Sequence, residues 1–364
     1  MENENKEINE VSSNSLTENV TLPEVEINPD MKTDTINERA KVLSPGMTVL
    51  KRFFRSKLSV IGLATLVVLF LFSFLGPVLS PWGEKSIDYN NVKSTYTPVI
   101  IEYVDSNGEK QTAVNVTTDT PDRNSLGDLS GEHWMGTDQN GYDVFTRLMY
   151  GGRVSLTLGF VVVILETLLG VLLGGLAGFF GKWVDNLIMR IVDILSCIPS
   201  LPIMLILSAV FDSLGLGDSI VKLYYMMIVL TLMGWTGTAR LVRGQILSLR
   251  EQEFMLAAKC SGLSTGKKIF KHLMPNVIPQ LIVSMTLGLG SIILMEATLG
   301  YLGIGAPLGT PTWGNMINLA SKPQFRDYYP NLWLGSGICI TLAILAFNFV
   351  GDGLRDAFDP KMKR

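Results

Sequence analysis

The amino-acid sequence predicts an all-α polytopic membrane protein that crosses the bilayer six times. Of its 364 residues, 47% are apolar, 17% are charged and 35 are glycine, a composition typical of membrane-spanning chains. A helix needs roughly 17–25 apolar residues to cross a bilayer, and backbone groups in lipid must be satisfied internally. Long apolar runs are therefore expected to be transmembrane helices. The six runs are 58–79, 154–180, 194–211, 223–239, 277–305 and 331–350.

The third predicted span is the least regular of the six. Pro199 and Pro202 lie inside the run 194–211. Proline removes a backbone donor and clashes with the preceding turn of a helix, so we expect a kink in this span.

The distribution of charge predicts which segments lie in the cytoplasm. Residues 240–271 carry seven basic and two acidic side chains, whereas residues 81–150 carry five basic and eleven acidic ones. Because basic loops stay on the cytoplasmic side, we expect 240–276 inside the cell and 81–150 outside it. With six spans, both termini are then cytoplasmic and the chain is a multi-pass protein of the plasma membrane.

This interpretation divides the chain into five parts. Residues 1–45 are acidic and poor in aromatic side chains, so they are expected to form a disordered tail. The parts are a cytoplasmic tail (1–45), the first span with its basic flank (46–80), an extracytoplasmic insert and scoop (81–150), a membrane core (151–352) that contains the cytoplasmic segment 240–276, and a cytoplasmic C-terminus (353–364).

The extracytoplasmic insert carries a β-hairpin signal. Two runs rich in β-branched residues flank Ser106-Asn107-Gly108, and Asn and Gly tolerate the positive φ angles of a tight turn. An isolated hairpin is only marginally stable, so we expect it to pack on the membrane core or on a partner.

The basic segment 240–276 is too polar to cross lipid, and its pattern predicts two short helices around a glycine. Gly262 is placed to end the first helix in a left-handed conformation, Ser264 to cap the second, and Pro275 to close it. The small side chains of Ala257 and Ala258 allow another surface to approach closely. Docking to a partner and an ordinary surface loop both remain open on these residues alone.

Other motifs point away from nucleotide, metal or catalytic sites. The run GLSTGKK at 262–268 has three residues between its glycines and Lys268 after the lysine, so it is not a Walker A phosphate loop. The three cysteines indicate neither a disulfide framework nor a metal site. No catalytic residue, metal site or cofactor is therefore expected on this chain, and no nucleic acid partner.

Two carboxylates fall inside predicted spans. Glu166 and Glu296 are candidate functional residues, since a carboxylate in lipid is costly unless it faces a cavity or a partner. A structural hydrogen bond to a neighbouring helix is the alternative for both. The glycine-rich run 170–181 is expected to let helices pack closely.

Residues 240–276 resemble the coupling motif of permease subunits of binding-protein-dependent ATP-binding-cassette importers. That motif is Glu-Ala-Ala, three residues, Gly, nine residues, Ile-x-Leu-Pro. Ala257, Ala258, Gly262 and Pro275 match it, whereas Leu256, His272 and Met274 replace its glutamate, isoleucine and leucine. The resemblance implies the coupling residues Ala257, Ala258, Lys259, Gly262, Leu263, Pro275 and Asn276.

Three further blocks, 136–156, 296–317 and 351–364, are similar to the C-type subunit of dipeptide, oligopeptide and nickel permeases. The first block differs at Tyr142, where a basic residue is usual. This resemblance implies the type I importer permease fold. It also implies an outer scoop that shapes the extracytoplasmic face, formed by Gly136, Thr137, Asp138, Gly141, Asp143 and Arg147.

The resemblance further implies a division of labour. A homologous permease completes the translocation path across the lipid bilayer, two cytoplasmic ATPase subunits bind ATP and Mg²⁺, and an extracytoplasmic binding protein delivers dipeptides or oligopeptides. The same architecture importing nickel chelates or other small solutes is the alternative. A membrane-embedded enzyme would need convergent titratable residues at one depth, whereas the spans supply only isolated acids. An ion channel gated without ATPases would lack the coupling motif.

Overall fold

The computed structural model describes residues 45–88, 97–104, 110–117, 129–215, 220–307 and 309–359. Apart from Pro45, the predicted acidic tail lies outside these residues, and so do the predicted hairpin turn at 106–108 and the last five residues. Within the described residues, five helices are long and apolar enough to cross a membrane, or six if one bent pair counts as a single span.

Helices make up nearly all of the described structure. The first part contains α1 (Pro45–Arg55), α2 (Lys57–Phe74), α3 (Gly76–Leu79), strands β1 (Thr97–Val104) and β2 (Lys110–Thr117), α4 (Val144–Phe180), α5 (Lys182–Cys197) and α6 (Ser200–Ser213). The second part contains α7 (Ile220–Arg250), α8 (Glu253–Cys260), α9 (Thr265–Lys267), α10 (Met274–Tyr301), α11 (Trp313–Asn318), α12 (Pro323–Tyr328) and α13 (Leu334–Phe358). A π-helical turn, Lys268–Leu273, joins α9 to α10, and two 3₁₀ turns, Leu319–Ser321 and Pro330–Leu332, flank α12.

The predicted kink in the third span is confirmed, and it is a full break. Helices α5 and α6 are bent by 76° where Ile198 and Pro199 separate them. Helix α6 has 14 residues. At about 1.5 Å per residue it is roughly 21 Å long, short of a bilayer core of about 30 Å. The run 194–211 is thus divided between the end of α5 and most of α6.

The longest helix, α4, packs along α7 through a face of small residues. Gly170, Gly174 and Gly178 recur every four residues and so share one side of α4. A Cβ atom on Gly174 would lie 2.4 Å from the carbonyl oxygen of Ala239 on α7. The predicted role of the glycine-rich run in close helix packing is thus confirmed.

Helix α13 packs against both α2 and α10, which completes the bundle. A buried apolar cluster runs through these helices and includes Leu66, Ile293 and Phe347. Strands β1 and β2 pair antiparallel, with Thr97 opposite Thr117 and Val104 opposite Lys110.

The two ends of the bundle differ. Helix α7 ends, and α10 begins, at one end, which also carries α8; we call this the α8 end. The other end carries α11, α12 and the start of α4, and we call it the α11 end. Side chains join these elements there: the Trp313 indole donates to the Leu148 carbonyl over 3.1 Å, and the Asn331 amide donates to the Met135 carbonyl over 2.8 Å.

Candidate functional site

The α8 end contains two short helical segments joined by a turn at Gly262; we call residues 253–273 the α8 unit. Gly262 has φ +65°, the left-handed region that favours glycine. The N–H of Gly262 donates to the Lys259 carbonyl and the N–H of Leu263 donates to the Ala258 carbonyl, at 3.1 and 3.3 Å. This pair of bonds is the Schellman arrangement that ends helices. The predicted left-handed helix end is confirmed.

The second half of this unit differs from the prediction. Ser264 occupies the cap position, but its side chain makes no cap hydrogen bond. The helix also does not close at Pro275. The Met274 N–H donates to the Ile269 carbonyl five residues back, so a π turn carries the chain into α10. Pro275 lies in the first turn of α10, where a missing N–H costs nothing.

The predicted coupling residues do not all lie on one exposed surface. Ala257, Lys259 and Gly262 are exposed and Leu263 is half-buried. Ala258 is only 5% exposed and faces into the chain, so the two alanines do not form one outward surface. Pro275 and Asn276 are also exposed but lie beyond the π turn on α10.

Two apolar side chains missed by the sequence analysis stand out on the same unit. Leu256 is 54% exposed and Phe270 is 77% exposed. Both belong to a segment whose other exposed residues are largely polar, and no other described residue covers them. The sequence contained one signal for this surface: Phe270 lies among three lysines, and a large aromatic side chain is unusual on a solvated surface.

The unit is fixed to the bundle on its inner side. Met255 and Leu273 are fully buried and pack with Ile246 of α7. The Arg250 guanidinium donates to the carbonyls of Gly178 and Phe179 at the end of α4, over 3.3 and 3.2 Å. Cationic donors stabilise the open carbonyls at a helix C-terminus. The unit is therefore packed on α7, and Arg250 of α7 joins this end of the bundle to α4.

At the α11 end, the structure brings all six predicted scoop residues together. Gly136 and Gly141 both have positive φ angles, of 76° and 81°, and shape a tight loop. Thr137 pairs with Asp143 in a β-bridge across this loop. The Arg147 guanidinium lies 3.5 Å from the Asp138 carboxylate and stacks over the Tyr142 ring.

Asp138 holds the loop closed. Its Oδ1 accepts hydrogen bonds from the N–H groups of Asn140 and Tyr142, at 2.9 and 3.0 Å. Burial raises the pKa of the Asp138 carboxyl above its ordinary value of 3.8, and Arg147 and the two backbone N–H groups oppose this rise. These contacts are local, so the loop stabilises itself.

A buried histidine, not among the predicted site residues, joins this loop to the residues after α3. His133 has no exposed surface; its Nδ1 lies 2.9 Å from Asp143 Oδ1 and its Nε2 lies 3.2 Å from Asp88 Oδ2. Asp143 also caps α4 by accepting from the Thr146 N–H over 2.7 Å. The two ring nitrogens of His133 therefore bridge the carboxyl groups of Asp143 and Asp88. No sequence pattern revealed this cluster, because its acids lie 45 and 10 residues away along the chain.

The two intramembrane carboxylates have different surroundings. Glu296 is fully buried on α10, and the Ser155 hydroxyl of α4 donates to it over 2.9 Å. The same hydroxyl accepts from the Trp313 N–H over 3.1 Å, so Glu296 helps to fix α11 against α4.

Glu166, on α4, instead lines a cavity of about 190 Å³ between α4, α7 and α10. The carboxyl group occupies the space that a side chain on Gly234 of α7 would fill. Its Oε1 has no hydrogen-bond partner among the described residues.

Comparisons with known proteins agree with this architecture. Residues 170–364 match the family model described as "binding-protein-dependent transport system inner membrane component". Residues 44–98 match the "N-terminal TM domain of oligopeptide transport permease C".

Similar curated proteins cover nearly the whole chain. A "dipeptide transport system permease protein DppC" from Alkalihalophilus pseudofirmus is 36% identical over 92% of this chain and 96% of its own length. An "oligopeptide transport system permease protein OppC" from Bacillus subtilis is 35% identical over 89% of this chain and 92% of its own. The chain therefore belongs to the binding-protein-dependent transport system inner membrane components, in the OppC/DppC peptide permease family.

Proposed function

We propose that this chain is the permease subunit of an ATP-driven importer of dipeptides or oligopeptides, paired with a homologous permease. Its relatives are named as dipeptide and oligopeptide permeases. The observation that carries the proposal is the exposed α8 unit at the end of the bundle, whose apolar side chains Leu256 and Phe270 are covered by no other described residue.

The proposal places the α8 end in the cytoplasm, as the basic charge of 240–271 predicts. Lys51, Arg52, Arg55 and Lys57 belong to the same basic side in the proposed topology. Both termini are then cytoplasmic.

In this proposal, the α8 unit enters a groove on an ATPase subunit. Ala257 and Gly262 allow close approach, Leu256 and Phe270 bury apolar surface, and Lys259 contacts the rim. At about 25 cal/mol per Å² of apolar area, burying two such side chains supplies several kcal/mol of docking energy. ATP and Mg²⁺ bind to the partner ATPases, and this chain needs no cofactor.

ATP-driven closure of the ATPases moves α8, and the rigid helices transmit the motion. From Thr265 to Tyr301 the chain is helical for 37 residues, roughly 55 Å at 1.5 Å per residue. Arg250 of α7 is bonded to the C-terminal end of α4, so α4 moves with α7. A shift at the α8 end is thereby converted into rearrangement of the α11 end, as in other rigid-body switches.

The α11 end meets the extracytoplasmic binding protein. The exposed tip of the scoop, Gln139 and Asn140, borders a groove of about 270 Å³ that also contains Asn315 and Lys322. The scoop residues themselves are mostly buried, so they hold this tip in place. The paired strands β1 and β2 belong to the insert on the same outer side.

Tryptophan substitutions at two matched glycines test whether the α8 unit couples this chain to the ATPases. Gly262→Trp adds a bulky side chain to the α8 unit, where a Cβ meets nothing within 4 Å. We expect membrane insertion to persist while co-purification of the ATPases and peptide uptake are lost. Gly215→Trp is the control, because Gly215 also has a positive φ and open space but lies at the α11 end. Normal ATPase co-purification by Gly262→Trp would overturn the proposal.

A further inference from the structure

The cavity beside Glu166 has the composition of a cation site. The Glu166 side chain is 9% exposed, and Thr167, Thr238 and Ser284 add three hydroxyl groups to the lining. No lysine, arginine or histidine lines it within the described part of the chain. The nearest arginines along α7, Arg240 and Arg243, are already paired with Asp193 and Asp185.

This arrangement leaves a carboxyl oxygen without a hydrogen-bond partner among the described residues, in a low-dielectric region. A buried carboxylate is costly unless a cation or several donors satisfy it. Glu296 Oε2 accepts from Ser155, whereas no hydrogen bond to the Glu166 carboxyl group is found within the described residues. The Oε1 atoms of both residues have no partner there, but only Glu166 lines a cavity that a ligand could enter. A ligand that enters the cavity can supply the donor that the described residues do not.

The geometry favours an ammonium group over a divalent metal ion. An ammonium has three donors and no acceptor, and the cavity offers a carboxylate and three hydroxyl oxygens as acceptors. Divalent metal sites in proteins gather several acidic or imidazole ligands, and no such group of three occurs among the described residues. Gly234 and Gly237 are exposed on the α7 wall, so this wall leaves room for a ligand.

We infer that the Glu166 cavity is a transient binding subsite for the primary ammonium group of the peptide during its passage. This inference rests on the proposed function and identifies the part of the transported molecule that the membrane core recognises. An N-terminal ammonium and a lysine side chain share the required chemistry. Peptides with one or the other distinguish the two sources.

A cysteine placed in the cavity reports its charge without requiring transport. A Cβ on Gly237 meets nothing within 4 Å, so Gly237→Cys is accommodated. In a chain whose three native cysteines are replaced by serine, we expect a quaternary-ammonium methanethiosulfonate to react faster at this cysteine than an uncharged one. Adding Glu166→Gln should lower the ratio of the two rates about tenfold, because one nearby charge is removed. Adding Glu296→Gln is the matched control and should leave the ratio unchanged.

Uptake by the complete importer in proteoliposomes gives the second measurement. With trialanine as the probe, Glu166→Gln should lower uptake about tenfold, whereas ATP hydrolysis stimulated by the loaded binding protein persists. Thr238→Val, which keeps the carboxyl group, should lower uptake about fivefold through loss of one hydrogen bond. N-acetyl-dialanyl-lysine shows whether a lysine ammonium serves equally.

The outcomes distinguish failure of the proposed peptide import from failure of the ammonium subsite at Glu166. If the wild-type importer fails to take up any peptide with ATP, the proposed function is wrong. If it imports trialanine but Glu166→Gln changes neither the labelling ratio nor uptake, the proposed function stands and this inference is overturned. The labelling ratio is measured on the chain in membrane vesicles, so it decides the matter even if the variant complex does not assemble.

Discussion

The contact of Gly174 with α7 makes a quantitative prediction about the bundle. A Cβ at this position would lie 2.4 Å from the carbonyl oxygen of Ala239 and 2.9 Å from its Cα. Ordinary contact needs roughly 3.5 Å, so Gly174→Ala must push α4 and α7 about 1 Å apart. Such overpacking costs about 1–3 kcal/mol.

The neighbouring Gly175 is the matched control. A Cβ there would lie 3.8 Å from Ile246 Cδ1, which is an ordinary contact. Replacing a helical glycine with alanine gains up to about 1 kcal/mol, so Gly175→Ala should be neutral or stabilising. We therefore expect Gly174→Ala to be less stable than Gly175→Ala by about 2 kcal/mol.

Unfolding of the purified chain in bicelles by added SDS measures this difference. Because the clash is with backbone atoms of Ala239, a second change of Ala239→Gly should not restore stability. Equal stability of the two alanine variants, or rescue by Ala239→Gly, would refute the close approach of α4 and α7.

Three further perturbations have defined results. Arg250→Met removes both hydrogen bonds to the end of α4, so the free energy of unfolding in bicelles should fall by about 1–2 kcal/mol. Peptide uptake should fall more than ATPase assembly. An unchanged unfolding curve would argue against the link between Arg250 and α4. Asp143→Ala removes the cap of α4 and one partner of His133, so hydrogen exchange at the start of α4 should accelerate by at least about tenfold; exchange at the wild-type rate would contradict the cluster. The folded pKa of Asp138 lies above its unfolded value, so its contribution favours folding at low pH and is lost as pH rises through the folded pKa. The free energy of opening of residues 137–147, from hydrogen exchange corrected for intrinsic rates, should therefore fall as pH rises above about 4, and Asp138→Asn should flatten this dependence.

Local patterns were sufficient to predict several features of the molecule. Gly262 follows a run of helix-forming residues, and its positive φ satisfies a local rule for helix ends. The scoop residues lie within twelve positions of one another, so their convergence also depends on nearby chain geometry. The kink at Pro199 follows from the missing N–H of a single residue type.

Features that depend on which helix faces pack together could not be predicted from the sequence. Glu166 and Glu296 look alike as single acids in apolar runs, yet one lines a cavity and the other accepts from Ser155. The difference arises from the packing of α4 against α7 and α10. The π turn before Pro275 was missed because the local pattern does not reveal a change from i→i+4 to i→i+5 hydrogen bonds within a helix.

Site-specific photo-crosslinking tests the central claim, that partner ATPases act on this chain through the α8 unit. A photoreactive phenylalanine analogue replaces the exposed Ala257 at the α8 end or the exposed Tyr328 at the α11 end, in cells that contain the complete importer. The account predicts that Ala257 crosslinks to an ATPase subunit and that Tyr328 does not. A crosslink to the ATPase from Tyr328, or none from Ala257, would contradict it.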